Sequence, residues 1–212
     1  FACGETHDTP RLAARPGKEV LAKMLTVFNH FIPNAIPFLN SGQEFFELQP
    51  MNTGLDCKPN EAEALPKDDP YYGKLALFDR YNLHYLHPRR WEMIEVIEKA
   101  SKIRSSLLDS MLNPDKVYPL GFSAPWDTAA GFAYRGRNKI TLVITNTDVY
   151  NDKEHWVKLD NIPDDFNREG TVLKQVFSSE NAVSETDVLV DSTSNVRIWF
   201  KKGEVKVFEI KA

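Results

Sequence analysis

From residue 131 to residue 210 the chain is a succession of short apolar runs broken by turn residues, and nothing else in it restricts the fold as strongly. Gly131-Phe132-Ala133-Tyr134-Arg135 is followed by KITLVIT at 139–145, with Gly136-Arg137-Asn138 between them as a hairpin signal. Further runs follow at 156–159, 171–177, 188–190, 196–200 and 204–210, with Lys202-Gly203 turning the last pair. Many short strands at regular spacing pack as an antiparallel β-sandwich. Trp126, Trp156 and Trp199 are expected in its core.

The first half has a different grammar. Val20, Leu21, Met24, Leu25 and Phe28 recur at helical spacing over 18–28, after Pro16-Gly17. The apolar run 35–39 ends in Asn40-Ser41-Gly42 and reads as a strand buried on both sides, followed by a tight turn. A long irregular stretch, 47–73, holds Pro50, Gly54, Pro59, Pro66 and Pro70. Loops of that length are usually functional or disordered, and Phe45, Phe46, Leu48, Tyr71 and Tyr72 argue against disorder. Phe45, Phe46, Tyr71 and Tyr72 are expected to pack beneath the loop. A strong helix is predicted at 88–108, with Pro88 in its first turn and Trp91, Ile94, Ile97, Ile103 and Leu107 on its inner face. Pro114 and Pro119 mark a linker, so the domains are expected at 1–115 and 116–212.

Charge and cysteine content narrow the function. The net charge of −4 argues against a nucleic-acid partner, because phosphate-neutralising domains are usually basic. No apolar run reaches the roughly 18–20 residues of a membrane span; the nearest, 25–39, is broken by Asn29, His30, Pro33, Asn34 and Pro37. No membrane partner is expected. Two cysteines, Cys3 and Cys57, do not make a disulfide scaffold and read as free thiols, which places the chain in the cytoplasm. His84 and His87 lie three apart without an obvious third ligand. No metal and no cofactor is expected.

Two segments carry chemistry. Glu5-Thr6-His7-Asp8-Thr9-Pro10-Arg11 places a His-Asp pair near the start, and Ile36 to Glu44, IPFLNSGQE, ends in Gly-Gln-Glu. In this order, at this separation and followed by a β domain, they resemble the end of an α-amylase-superfamily enzyme, glycoside hydrolase family 13. The first resembles the segment after the seventh barrel strand, the second the segment at the eighth. That family tolerates a proline at the place of Pro37. AGFAYRGRNKITLVITNTD, from residue 130, resembles the first hairpin of its β domain, and KKGEVKVFEI, from 201, the closing strand. The fold implied is α/β plus all-β: the C-terminal portion of a (β/α)8 barrel followed by an antiparallel β-sandwich. The ETHDTPR and ELQPMNTGLD wording looks most like the maltosyltransferase type, which moves maltosyl units between α-1,4-glucan chains.

The resemblance also implies roles. Barrel sites lie at the C-terminal ends of the strands. Asp8 matches the family's third carboxylate, which accepts hydrogen bonds from sugar hydroxyls as the ring flattens toward an oxocarbenium ion. His7 would donate to the same sugar. Arg11 orients a carboxylate as a bidentate clamp or is solvated, and Glu5 either contacts sugar or holds Arg11. Gln49, Asn52 and Asp56 offer amide and carboxylate groups suited to hydroxyl-rich ligands. Glu44 matches a residue of structural support. The family nucleophile and acid/base come from the fourth and fifth strands. The implied partners are therefore an α-1,4-glucan or maltooligosaccharide and an N-terminal barrel portion upstream of Phe1. Unpaired sheet edges would favour self-association into a homo-oligomer. Hydrolysis by an α-amylase or α-glucosidase, and sugar binding without turnover, are the competing expectations.

Overall fold

A computed structural model describes residues 1–49, 67–69, 72, 88–123, 127–181 and 187–211. The chain forms two units. The first comprises Phe1–His30 and Ile36–Glu98; the second comprises Phe31–Ala35 and Lys99–Ala212.

In the first unit, α1 (Lys18–Asn29) starts after Gly17, whose φ of +92° suits a residue without Cβ. Its buried side chains include Ala22, Met24, Val27 and Phe28, so the helix is enclosed more widely than one amphipathic stripe. Leu12, Ala13, Ala22, Phe46 and Met93 form a small core, with Leu21, Leu25, Leu48 and Ile97 packed on it. Phe45 and Phe46 are buried; the loop they are expected to pack beneath lies largely outside the described residues. The segment 35–39 does not form an enclosed strand. It makes a single parallel bridge, Ala2 to Pro37, in which Ala2 donates to the Ile36 carbonyl (2.8 Å) and Phe38 donates to the Ala2 carbonyl (2.9 Å). Pro37 is tolerated because only its neighbours are asked to pair. Ile36, Phe38 and Leu39 remain exposed, since the segment has one strand neighbour among the described residues and no cover.

The long helix α2 (Arg90–Met111) runs through the division between the units. Its buried residues are Met93, Val96, Ala100, Leu107 and Met111, spaced at three, four or seven. Trp91 is not on that face: it is 62% exposed, with the Arg90 guanidinium 4.9 Å from its ring centroid. Two residues before Met93, it points roughly to the opposite side of the helix, and Ile94, Ile97 and Ile103 flank the stripe half-buried.

The second unit is a two-sheet antiparallel sandwich. Its strands are β1 (Val117–Pro119), β2 (Gly121–Phe122), β3 (Ala129–Arg135), β4 (Lys139–Asn146), β5 (Lys153–Lys158), β6 (Val172–Ser178), β7 (Val188–Leu189), β8 (Asn195–Phe200) and β9 (Val205–Lys211). One sheet has the order β1-β3-β4-β9-β6-β7, the other β2-β5-β8. Ile140, Leu142, Ile144, Phe208 and Ile210 from the large sheet meet Val157, Val196, Ile198 and Phe200 from the small one in a single core. The segment expected as a linker supplies β1 and β2, which pair with β3 and β5 in different sheets. Pro119 fits there because β1 is an edge strand.

Strand β4 is buried on both faces. Elsewhere in the same sheet, the Tyr134 hydroxyl on β3 donates to the Phe31 carbonyl, Phe31 packs against Phe177 on β6 with ring centroids 6.5 Å apart, and Ser110 Oγ on α2 donates to the Arg135 carbonyl (2.8 Å). The tryptophans expected inside are not there. Trp156 is 41% exposed and Trp199 57% exposed, because strand alternation gives the inward positions of β5 and β8 to His155, Val157, Val196, Ile198 and Phe200. Trp126 lies outside the described residues.

Candidate functional site

The site belongs to the first unit and is built from two buried charges. Arg11 and Glu5 are 1% and 2% exposed. Arg11 Nη1 donates to Glu5 Oε1 (2.8 Å) and to the Ser41 carbonyl (2.7 Å), and its Nε donates to the Gln49 carbonyl (2.7 Å). The other Glu5 oxygen accepts from the Leu12 amide (2.6 Å), and Asn40 Nδ2 donates to Oε1 (3.3 Å). A buried ion pair is stabilised when hydrogen bonds satisfy its remaining atoms; here most of those bonds are to backbone, while Arg11 Nη2 is buried with no hydrogen-bond partner among the described residues. One guanidinium thereby ties three stretches of chain, near residues 5, 41 and 49, to a single point.

The turn after residues 36–39 is organised to let this happen. Gly42 has φ +97°, and a Cβ there would stand 2.9 Å from Glu47 Cβ and 3.4 Å from Arg11 Nη2. Glycine is therefore required both by conformation and by space. Gln43 Oε1 accepts from the Asn40 amide (3.2 Å), while its Nε2 donates to Thr26 Oγ1 on α1 (2.7 Å). Glu44 Oε2 accepts from the Gly42 amide (2.8 Å). Glu47 Oε1 accepts from the amides of Leu48 (2.8 Å) and Gln49 (2.9 Å), fixing the start of the long loop.

Between Glu5 and Arg11 the chain makes a tight turn. The Thr6 amide donates to Thr9 Oγ1 (2.8 Å), the Asp8 amide to Thr6 Oγ1 (3.2 Å) and the Thr9 amide to the Thr6 carbonyl (3.3 Å). His7 and Asp8 occupy its tip, with His7 Nε2 3.2 Å from Asp8 Oδ2 and their side chains 59% and 50% exposed. The turn is thus held at both ends by a buried pair and presents an exposed imidazole and carboxylate at its crown.

The sequence-derived residues separate accordingly. Glu5, Arg11 and the backbone of Gln49 come together, and the reading in which Glu5 holds Arg11 is the one the geometry adopts. Both side chains are buried in that pair. Gln49 is itself fully buried. His7 and Asp8 stand outside this cluster. Asn52, Asp56, Cys57, Tyr71, His84, His87 and most of the long loop lie outside the described residues. A hollow of about 530 Å³ in the same unit is walled by Leu39, Asn40, Ser41, Glu44, Ile94, Ile97 and Glu98; His7 and Asp8 do not line it. Thr26 and Glu47 carry no role in the sequence reading, and Asn40 and Gln43 enter it only as part of the turn and of the Gly-Gln-Glu ending. Their one local signal is the Asn-Ser-Gly turn, whose polar neighbours must satisfy a buried backbone. Among the described residues no group of three or more His, Cys, Asp or Glu is placed to hold a metal ion, and no helix is long and apolar enough to cross a membrane.

No protein-family model and no curated protein sequence matches the chain. Solved structures do. An α-amylase from Geobacillus thermoleovorans superposes with a TM-score of 0.58 over 99% of this chain at 15% identity. A maltogenic α-amylase from Thermotoga neapolitana gives 0.61 over 98% at 17% identity. The trehalose-6-phosphate hydrolase of Bacillus licheniformis gives 0.55 over 99% at 17% identity. The chain has the fold of the C-terminal portion of an α-amylase. It spans only 38%, 40% and 42% of those three chains. The fold expected from the two motif segments and the strand series, the end of a (β/α)8 barrel followed by an antiparallel sandwich, is the one observed. The turn carrying His7 and Asp8 follows the bridge residue Ala2.

Proposed function

We propose that the protein carrying this chain is a retaining α-glucan-active enzyme of the α-amylase superfamily, and that residues 1–115 end its catalytic barrel. The observation that carries this reading is the exposed His7–Asp8 tip on a turn clamped by the buried Glu5–Arg11 pair. In this reading the buried clamp aims the two exposed side chains of the tip. Two solved neighbours are complexes with acarbose and with maltose, which supports an α-glucan as the ligand.

In this reading Asp8 accepts hydrogen bonds from two sugar hydroxyls at the cleavage subsite, and His7 donates to the same ring. Those bonds strengthen as positive charge develops on the ring, so they lower the barrier more than they tighten ground-state binding. Arg11 and Glu5 act through the turn as positioning residues, and Glu44 supports the neighbouring turn. The nucleophile and acid/base are carboxylates supplied by other strands of the whole protein.

We further propose transfer of maltosyl units between α-1,4-glucan chains, on the wording of ETHDTPR and ELQPMNTGLD. The structural neighbours are named as amylases and a hydrolase, which favours a second reading, hydrolysis. Both reactions share one covalent intermediate and differ in whether water or a sugar hydroxyl intercepts it. The test is to supply the full-length protein with maltoheptaose. Products longer than the substrate identify transfer, and only shorter ones identify hydrolysis. Asp8→Asn is expected to lower turnover by about 100-fold or more. Near-normal turnover in that variant overturns the assignment of Asp8.

A further inference from the structure

The second unit presents an aromatic face that its fold does not use. Trp156 on β5 is paired in register with Arg197 on β8, and Glu154 with Trp199. The two tryptophans therefore stand on one face of the small sheet as diagonal neighbours, about 7–8 Å apart by strand geometry. Both point away from the core, which the alternate residues of the same strands already fill. Between them lies an ion pair: Arg197 Nε is 2.6 Å from Glu154 Oε2, and the guanidinium sits 5.5 Å from the Trp156 ring centroid. Lys158 and Asn195, paired with each other, extend the same face. Exposed large aromatics ringed by polar groups mark a binding surface rather than a packing error.

We infer that Trp156 and Trp199 form a platform on which a neutral polysaccharide chain lies, a second place at which this protein holds its glucan. The inference rests on the glucan reading given above. The charges on the page favour that occupant. Glu154 and Arg197 neutralise one another, so the strip between the rings offers a donor and an acceptor with little net field. A phosphate polymer or an anionic lipid surface would need a cluster of unpaired cations; among the described residues Lys158 adds a positive charge to this strip, and Lys206, whose ammonium donates to the Trp199 carbonyl (2.8 Å), is paired with Glu204. Sugar rings, by contrast, offer an apolar C–H face to a tryptophan and hydroxyls at their edge to the ion pair. The face belongs to a three-stranded sheet, and an open sheet face suits a stretch of polymer better than a small molecule that needs a pocket. Two rings one diagonal step apart can be met by one oligosaccharide.

The test uses the full-length protein in native gels cast with and without glycogen, alongside turnover of maltotriose in solution. The wild-type protein is expected to run slower in glycogen. The Trp156→Ala/Trp199→Ala double variant is expected to lose affinity for the polymer by about tenfold while turning over maltotriose at the wild-type rate. Trp199→Tyr, which keeps an aromatic face, should recover part of the retardation, and thermal melts should show all variants folded. Migration independent of glycogen in the wild type, or equal retardation in the double variant, overturns the platform. So does a dimer in sedimentation that the double variant converts to monomer, since the face would then be a contact between copies. Turnover of maltotriose with unchanged retardation sinks the platform and leaves the enzyme reading standing. Tryptophan-dependent retardation without any turnover sinks the enzyme reading and leaves the platform.

Discussion

Arg11 Nη1 lies 2.8 Å from Glu5 Oε1 with both side chains almost completely buried. The six-residue span that closes between them carries His7 and Asp8 on its outside. The same guanidinium reaches carbonyls thirty and thirty-eight residues away, so the geometry of the tip depends on the anchoring of the long loop.

Removing one member of this pair leaves the other buried and uncompensated. Arg11→Met or Glu5→Gln should each destabilise the first unit by about 3–5 kcal/mol. The double variant should cost clearly less than the sum, because no orphan charge remains. Urea unfolding of the two single variants and the double, analysed as a cycle, measures the coupling. Additive effects would show that the pair does not act as a unit.

Asp8 should behave in the opposite way. Its side chain is half exposed at the turn tip, and Asp8→Asn or His7→Gln should change stability by no more than about 0.5 kcal/mol. Thermal melts of these variants, set beside their turnover, separate a functional role from a structural one. A melting point lowered as much as in the Arg11 variants would mean that the tip holds the turn rather than being held by it.

Gly42→Ala tests the turn itself. The backbone φ of +97° and the 2.9 Å approach to Glu47 Cβ should together cost about 1–3 kcal/mol. Displacement of Glu47 should also loosen the amides of Leu48 and Gln49. Hydrogen exchange at these two amides should accelerate in the variant; unchanged protection would show that the turn accommodates a methyl group.

The β unit should lose stability toward acid in two stages. Burial holds the His155 imidazole below its ordinary value near 6.5, with Asp127 opposing that shift and Lys153 adding to it. The unfolded chain therefore binds this proton more readily, and stability present above pH 6.5 declines as the pH falls below it. Asp148 is held well below its ordinary value near 3.8, first by the Lys153 ammonium and then by the Tyr150 amide. Its contribution is present above about pH 4 and is lost as the pH falls further. Melting temperatures measured from pH 7 to pH 3 should show both declines. His155→Gln should flatten the first and leave the second; an unchanged profile would remove His155 as its source.

The strand series was legible because its signal is local. Alternation over six or seven residues and a turn of Gly-Arg-Asn are properties of neighbouring positions, and the observed β3, β4, β8 and β9 differ from the expected runs by a residue or two at their ends. The two motif segments were likewise legible as wording, enough to place both within one fold. Their internal geometry was not. Arg11 reads equally well as a solvated residue until Glu5, Ser41 and Gln49 are brought around it.

Three further outcomes belong to the folded chain alone. Period-two patterning says that one face of β5 and β8 is inside but not which face, and both Trp156 and Trp199 went outward because His155, Val196, Ile198 and Phe200 took the core. Segment 35–39 has the composition of an enclosed strand, yet enclosure needs neighbouring strands, and here it has a single bridge. The linker prolines hid two short strands, since an edge strand tolerates a residue that cannot donate. Local pattern sets which elements can form. Where a charge is buried, which face is covered and how many strands a segment meets depend on partners distant in the chain, and only the tertiary structure brings those together.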